Sequence, residues 1–154
     1  MQKPFFIYLV HPMSGLSWEE VAEYYSRVKT TLDAIGYYTL HPMCAKSELS
    51  GNKFDPKGSE TKSPIVSVHA IVRRDHWMVR KSDIVFADLS NVDEKSIGSI
   101  SEIATSYELG KHTIGVMEVG NIHEHAFMYE QFDIIFRTYD EAIIYLTKLI
   151  NGSY

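Results

Sequence analysis

The stretch SDIVFADLSNVDEKSIGSISEIATSYELGK, residues 82–111, decides how the rest of the chain is read. Ile84, Val85, Phe86 and Ala87 form a continuous apolar run, the pattern of a central parallel strand covered on both faces. Asp88 and Ser90 stand where that strand should stop. A loop rich in Ser, Asp and Gly follows. Gly98 and Ser99 then lead into a helix with Ile103, Tyr107 and Leu109 as its apolar positions and Gly110 as its end. In open parallel sheets, ligands bind beyond the carboxyl ends of strands and beside helix N-termini. This loop is therefore where function is sought.

Working outward, residues 5–10 (FFIYLV) read as a first strand, stopped by His11-Pro12-Met13-Ser14-Gly15 because Pro12 cannot continue a central strand. Ser17 and Glu20 make a capping box for a helix with Val21, Tyr24, Val28, Leu32 and Ile35 at helical spacing and Gly36 as its stop. Residues 37–41 give a second strand. Residues 46–63 are polar and dense in Gly, Lys and Ser, a loop or lid long enough to suspect a role over a site. Ser63-Pro64 restarts a helix that runs to about residue 81. Further strands are expected at residues 112–117 and 133–137, a short helical piece at 126–130, and a last helix at 139–150 with Ala142, Ile143, Leu146, Leu149 and Ile150 facing inward. Strands alternating with helices imply right-handed crossovers and a parallel sheet between helical layers. Five strands in the order 2-1-3-4-5 are the common solution, with the switch point between the first and third. The ends of those two strands, residues 8–14 and 88–102, would share one crevice.

Composition bounds the function. The chain has 154 residues, 45% of them hydrophobic, which suits one domain spanning residues 1–154 with a lid insertion at about 45–63. A formal charge of −5 with no basic stripe argues against a nucleic-acid polymer as partner but is compatible with small nucleotides. The single cysteine, Cys44, allows no intrachain disulfide and fits a reducing, cytoplasmic setting. No apolar run approaches the ~20 residues of a membrane span, and no signal-peptide layout is present, so no membrane partner is expected.

Two carboxylates stand out. The helix expected from Pro64 has the inward stripe Ile65, Val68, Val72, Asp75 and Val79. A buried carboxylate costs several kcal/mol unless an ionic or hydrogen-bonding partner meets it. Two placements fit equally: buried against such a partner, or rotated outward to Arg73, Arg74 or Arg80. The second is Glu102, for which Ser99-Ile100-Ser101-Glu102 offers an architectural reading as a capping box, with catalysis the alternative.

At this point the residues resemble a known family. Tyr8-Leu9-Val10-x-Pro12-Met13-x-Gly15, then Asp75, the S-D-I-V-F-A-D strand, and the S-x-G-x-x-x-E-x-x-x-x-x-E-L-G run from Ser96 to Gly110 together look like the nucleoside 2-deoxyribosyltransferases, a family that includes 2'-deoxynucleoside 5'-monophosphate N-glycosidases. The resemblance implies an α/β, three-layer, flavodoxin-like (Rossmann-like) domain acting as a homodimer or higher homo-oligomer. It implies that Glu102 is the nucleophile, attacking C1' of the sugar to give a covalent glycosyl-enzyme as in retaining glycosidases. Asp75 matches the acid that meets the leaving base, and Tyr8 the tyrosine that positions nucleophile and sugar. At Ser96 the transferases tend to carry an Asp and the monophosphate hydrolases a Ser that binds phosphate; Ser96 and Gly98 beside a helix N-terminus suit an anion. The hydrolases' Arg in the first loop is missing from Pro12-Met13-Ser14-Gly15, and Lys53, Lys57 or Lys62 could supply that charge. His11, Ser14, Gly15 and Asp88 line the same expected crevice. His125, before Ala126-Phe127-Met128, matches the place of a polar group donated by the neighbouring subunit, with a surface turn as the alternative; Tyr154 is either a terminal carboxylate used in the site or a frayed end. The substrate implied is a nucleoside or its 5'-monophosphate.

Other chemistries fit less well. His123-Glu124-His125 and the pair His69 and His76 lack the spacing of a metal site. Cys44 has no partner for nucleophilic work. No Gly-rich dinucleotide or P-loop motif occurs, so no cofactor is expected. Trp18 and Trp77 read as packing residues. The rival from another class is a non-catalytic nucleotide-binding or sensing module on the same fold, which would need the phosphate loop but not two opposed carboxylates.

Overall fold

The computed structural model describes residues 3–51 and 63–153. A parallel sheet of five strands, β1 (Phe6–Val10), β2 (Tyr38–Leu40), β3 (Ile84–Asp88), β4 (His112–Val116) and β5 (Ile134–Phe136), runs in the order β2-β1-β3-β4-β5, as the alternation of elements predicts. The helices are α1 (Trp18–Ile35), α2 (Val68–Lys81), α3 (Ile97–Glu108), α4 (Ala126–Gln131) and α5 (Tyr139–Asn151).

Strand alternation divides the core in two. Ile7, Leu9, Ile84, Phe86, Ile114 and Val116 face α1 and α5, meeting Val21, Tyr25, Val28, Leu32, Ala142 and Leu146. Tyr8, Val10, Val85 and Ala87 point to the other face, where α2 supplies Met78 and Val79, α3 Ile103 and α4 Met128. Because successive strand side chains oppose each other, a central strand between two helical layers must be apolar throughout. β3 is buried at all five positions. Gly115 in β4 lets the Phe132 ring press on the strand: a Cβ there would lie 2.7 Å from the ring.

Several helix details differ from the sequence expectation. Ser63-Pro64 opens only a 3-10 turn, Pro64–Val66, and α2 starts afresh at Ser67, whose hydroxyl accepts from Ala70 N–H. The re-capped helix turns Asp75, Met78 and Val79 inward, while Ile65, Val68 and Val72 are exposed, so the expected stripe holds only at its C-terminal end. In α1 the fully buried tyrosine is Tyr25, with Tyr24 half-buried beside it. Tyr107, Leu109, Leu149 and Trp77 are also exposed: each lies off the narrow stripe its helix lays on the sheet, and Trp77 is not a packing residue. Trp18 does pack, against the α1 side of the core. The expected lid, Lys53, Lys57 and Lys62 included, falls largely outside the described residues, as does Tyr154.

Candidate active site

Glu102 is the centre of the arrangement. The N-cap of α3 is Ser96, whose hydroxyl accepts from Ser99 N–H, so Glu102 lies in the second turn and not at the third helical position. The capping-box reading of Ser99 to Glu102 therefore fails. The carboxylate turns toward the sheet, where Tyr8 Oη donates a 2.8 Å hydrogen bond to Glu102 Oε1. Tyr8 is fully buried in β1. Strand and helix are 94 residues apart in sequence and meet because β1 and β3 are neighbours at the switch point.

Asp75 reaches the same place from α2. It is buried, and its partner is neither Arg73, Arg74 nor Arg80 but Lys46, whose Nζ donates to Asp75 Oδ2 at 3.1 Å. The other oxygen, Oδ1, is buried without a hydrogen-bond partner among the described residues. Burial raises the Asp75 carboxyl above its ordinary value, against the pull of Lys46. Burial, and after it the negative charge of Asp75, pushes Glu102 from 4.5 up to about 8, opposed by the Tyr8 hydrogen bond and by Lys46. Tyr8 and Tyr25 are driven well above the phenol range, first by burial, then by Glu102, so both are neutral hydrogen-bond donors at any ordinary pH.

A second network borders the first. Asp88, at the end of β3, accepts from Tyr24 Oη at 2.6 Å through Oδ2 and from Ser90 N–H at 3.1 Å and Ser90 Oγ at 2.5 Å through Oδ1. His11 contacts the Asp88 carbonyl through Nδ1 at 2.8 Å and stacks on Tyr24 with ring centroids 3.7 Å apart. Burial lowers the His11 imidazole below its usual value, and because a carbonyl can only accept, Nδ1 carries the proton and donates to it. Tyr25 Oη donates to the His11 carbonyl at 3.2 Å, tying the first loop to α1. Ser14 is half-buried in the turn after β1, and Gly15 closes that turn at φ +81°, a left-handed conformation that suits glycine.

The Ser96 loop is braced from β4. Ser96 N–H donates to His123 Nε2 at 2.9 Å, His123 Nδ1 lies 3.1 Å from Asn121 Oδ1, and Asn121 Nδ2 donates to the Leu89 carbonyl at 2.7 Å. Gly98 sits exposed in the first turn of α3, with open space where a side chain would project. His125 lies away from Glu102's hydrogen bonds: it is exposed and caps α4, accepting from Phe127 N–H at 3.2 Å. No group of three or more His, Cys, Asp or Glu side chains that could hold a metal occurs among the described residues.

The profile of a family described as nucleoside 2-deoxyribosyltransferase matches residues 7–137, which takes in Tyr8, Asp75 and Glu102. The chain belongs to that family. Solved structures agree in fold. A 2-deoxyribosyltransferase from Bacillus psychrosaccharolyticus superposes with a TM-score of 0.64 at 18% identity over 90% of each chain. The 2-deoxyribosyltransferase of Leishmania mexicana gives 0.64 at 18% identity, over 94% of this chain and 98% of that one. A CMP N-glycosidase from Clostridium botulinum gives 0.55 at 13% identity, over 96% and 98%. No curated protein sequence matches the chain.

Sequence reasoning missed Lys46, Tyr25 and the His123–Asn121 brace. Lys46 sits in a polar stretch with no periodicity to mark it as buried. Tyr25 adjoins Tyr24, and a quarter-turn error exchanged their environments. His123 belonged to a cluster weighed only as a metal site.

Proposed function

We propose that the protein cleaves the N-glycosidic bond of a nucleoside or nucleoside 5'-monophosphate through a covalent glycosyl intermediate on Glu102, passing the sugar to a second base or to water. The observation that carries this reading is the pairing of Glu102, held by Tyr8, with a second buried carboxylate, Asp75, from the neighbouring helix. In the first step a Glu102 oxygen forms a bond to C1' as the C1'–N bond breaks. The bonding pair leaves on the base nitrogen, which takes a proton from water while the Asp75 carboxylate orients the base by accepting a hydrogen bond from it, and the transition state has oxocarbenium character. In the second step an acceptor nitrogen or water attacks C1' and releases its proton to solvent, and Glu102 departs as the carboxylate.

Ser96 is suited to the 5' end of the substrate. Its oxygen accepts from Ser99 N–H, which leaves the hydroxyl proton free to donate to a phosphate at the N-terminus of α3. This favours a monophosphate. A sensing module would need that anion site but has no use for two carboxylates held together in a low-dielectric setting, a costly arrangement. We further propose that the enzyme is a homo-oligomer in which His125 faces the neighbouring subunit's site.

The test is to incubate the protein with each deoxynucleoside and its 5'-monophosphate and assay free base. Base release from monophosphates alone supports hydrolysis, and exchange on adding a second base supports transfer. Tight binding with no release supports the sensor and contradicts the proposal.

A further inference from the structure

Lys46 is the one cation within hydrogen-bond reach of Asp75 among the described residues, and its charge also acts on Glu102; its placement is built rather than incidental. It precedes the 3-10 turn Ser47–Leu49, and its backbone is held on three sides. Lys46 N–H donates to the Met43 carbonyl at 3.2 Å, while the Lys46 carbonyl accepts from Leu49 N–H at 3.0 Å and from Trp18 Nε1 at 3.2 Å. The side chain is 2% exposed, far below what a solvated loop lysine shows. A lysine ammonium is taken from water this completely only where negative charge meets it.

We propose that Lys46 is a positioning residue of the glycosyl-transfer site, the counter-ion that allows Asp75 and Glu102 to be anionic side by side so that Glu102 can attack. The inference rests on the glycosyl-transfer reading above. Two buried carboxylates, of which Asp75 acts on Glu102 through its charge, cannot both ionise cheaply without a nearby cation. Lys46 meets Asp75 directly at Oδ2 and leaves Oδ1, which has no partner among the described residues, to accept from the leaving base. The groups facing this set are Tyr8 from β1, Tyr25 from α1, Arg74 and His76 on α2, and His41 at the end of β2. Tyr8 and Tyr25 stay neutral, and His41, lowered by burial to about 4, carries no charge near pH 7. Of the cations named, only Lys46 acts on both carboxylates.

The experiment follows kcat/KM against pH for the wild type, Lys46→Met and Lys46→Arg, with 13C-carboxyl NMR of glutamate-labelled protein assigned through Glu102→Gln. Lys46→Met should move the ascending limb upward by about one pH unit or more, cost about tenfold or more at pH 7, and recover much of the rate toward about pH 10. Lys46→Arg should keep the wild-type limb. A Lys46→Met enzyme that loses rate equally at every pH, or loses none, overturns the proposal. Lys46→Gln serves where Lys46→Met does not fold. The NMR titration needs no turnover: an upward shift of the Glu102 resonance in the variant supports the inference, and an unmoved one overturns it. A wild type that releases no base from any substrate contradicts the glycosyl-transfer reading instead, and the two failures are distinct.

Discussion

Two acidic assemblies stand side by side at the carboxyl end of the sheet and have opposite characters. Both Asp88 oxygens are filled, by Tyr24 and by the amide and hydroxyl of Ser90. Among the described residues Glu102 has a single donor, Tyr8, and Asp75 has one ammonium and an oxygen with nothing to bind. A carboxylate with its acceptors satisfied by the fold is an architectural post, here joining β3, α1 and the first loop. One left short of donors in a low-dielectric setting is destabilised as an anion, and a substrate can relieve that. The difference separates neighbours that sequence reading had pooled into one crevice.

The largest effect expected from this contrast is at Glu102. Glu102→Gln should lower base release by at least about 10³-fold, while Tyr8→Phe, which removes the donor and leaves the Glu102 carboxylate, should cost about 10- to 100-fold and move the ascending pH limb upward. Both are read by steady-state assay. Next is Asp75→Asn, expected to lower kcat about 10²-fold and, by leaving Lys46 buried without its counter-charge, to lower unfolding free energy by about 3 kcal/mol in denaturant titration. Smallest in activity is Tyr24→Phe, which strips one donor from Asp88: stability should fall by about 1 kcal/mol and kcat by less than threefold. A Tyr24→Phe enzyme as impaired as Tyr8→Phe would erase the distinction between the two assemblies.

The same contrast predicts a pH dependence of folding. Glu102 titrates near 8 when folded and near its ordinary 4.5 when unfolded, so between these values the native state holds a proton the unfolded chain lacks. That contribution to stability is fully present below about 4.5 and is lost as pH rises toward 8. His11 and His41, both lowered by burial, act the other way and withdraw stability as pH falls below about 6.5. Between pH 6.5 and 8 the Tm of the wild type should therefore decline, and that of Glu102→Gln should decline less. Equal slopes would mean that Glu102 is not raised.

The fold was legible because its signal is redundant. Apolar runs such as Ile84 to Ala87, the capping box of Ser17 and Glu20, and glycine stops at Gly36 and Gly110 all point to the same alternation of strand and helix. The expectation for Glu102, Asp75 and Tyr8 came from their spacing in a family pattern, and the structure shows all three buried, with Tyr8 bonded to Glu102. The environment of each was not legible in the sequence. Whether Asp75 faces inward depends on where α2 begins, and the second cap at Ser67 reset that phase. Whether Glu102 caps its helix depends on Ser96 and not Ser99 being the N-cap, a three-residue difference that local pattern does not resolve. Lys46 was invisible because a lysine's burial is decided by what lies opposite in space, 29 residues further along the chain.

Glu102 as a covalent nucleophile is the claim on which the rest depends, and trapping tests it most directly. A substrate carrying fluorine at C2' destabilises the oxocarbenium-like transition state of both steps, so a glycosyl-enzyme formed from it should persist. After incubation and acid quench, peptide mass mapping should find one sugar on the peptide containing Glu102 and none in Glu102→Gln. Turnover of the natural substrate with no such adduct, or with the sugar on another residue, would contradict the account.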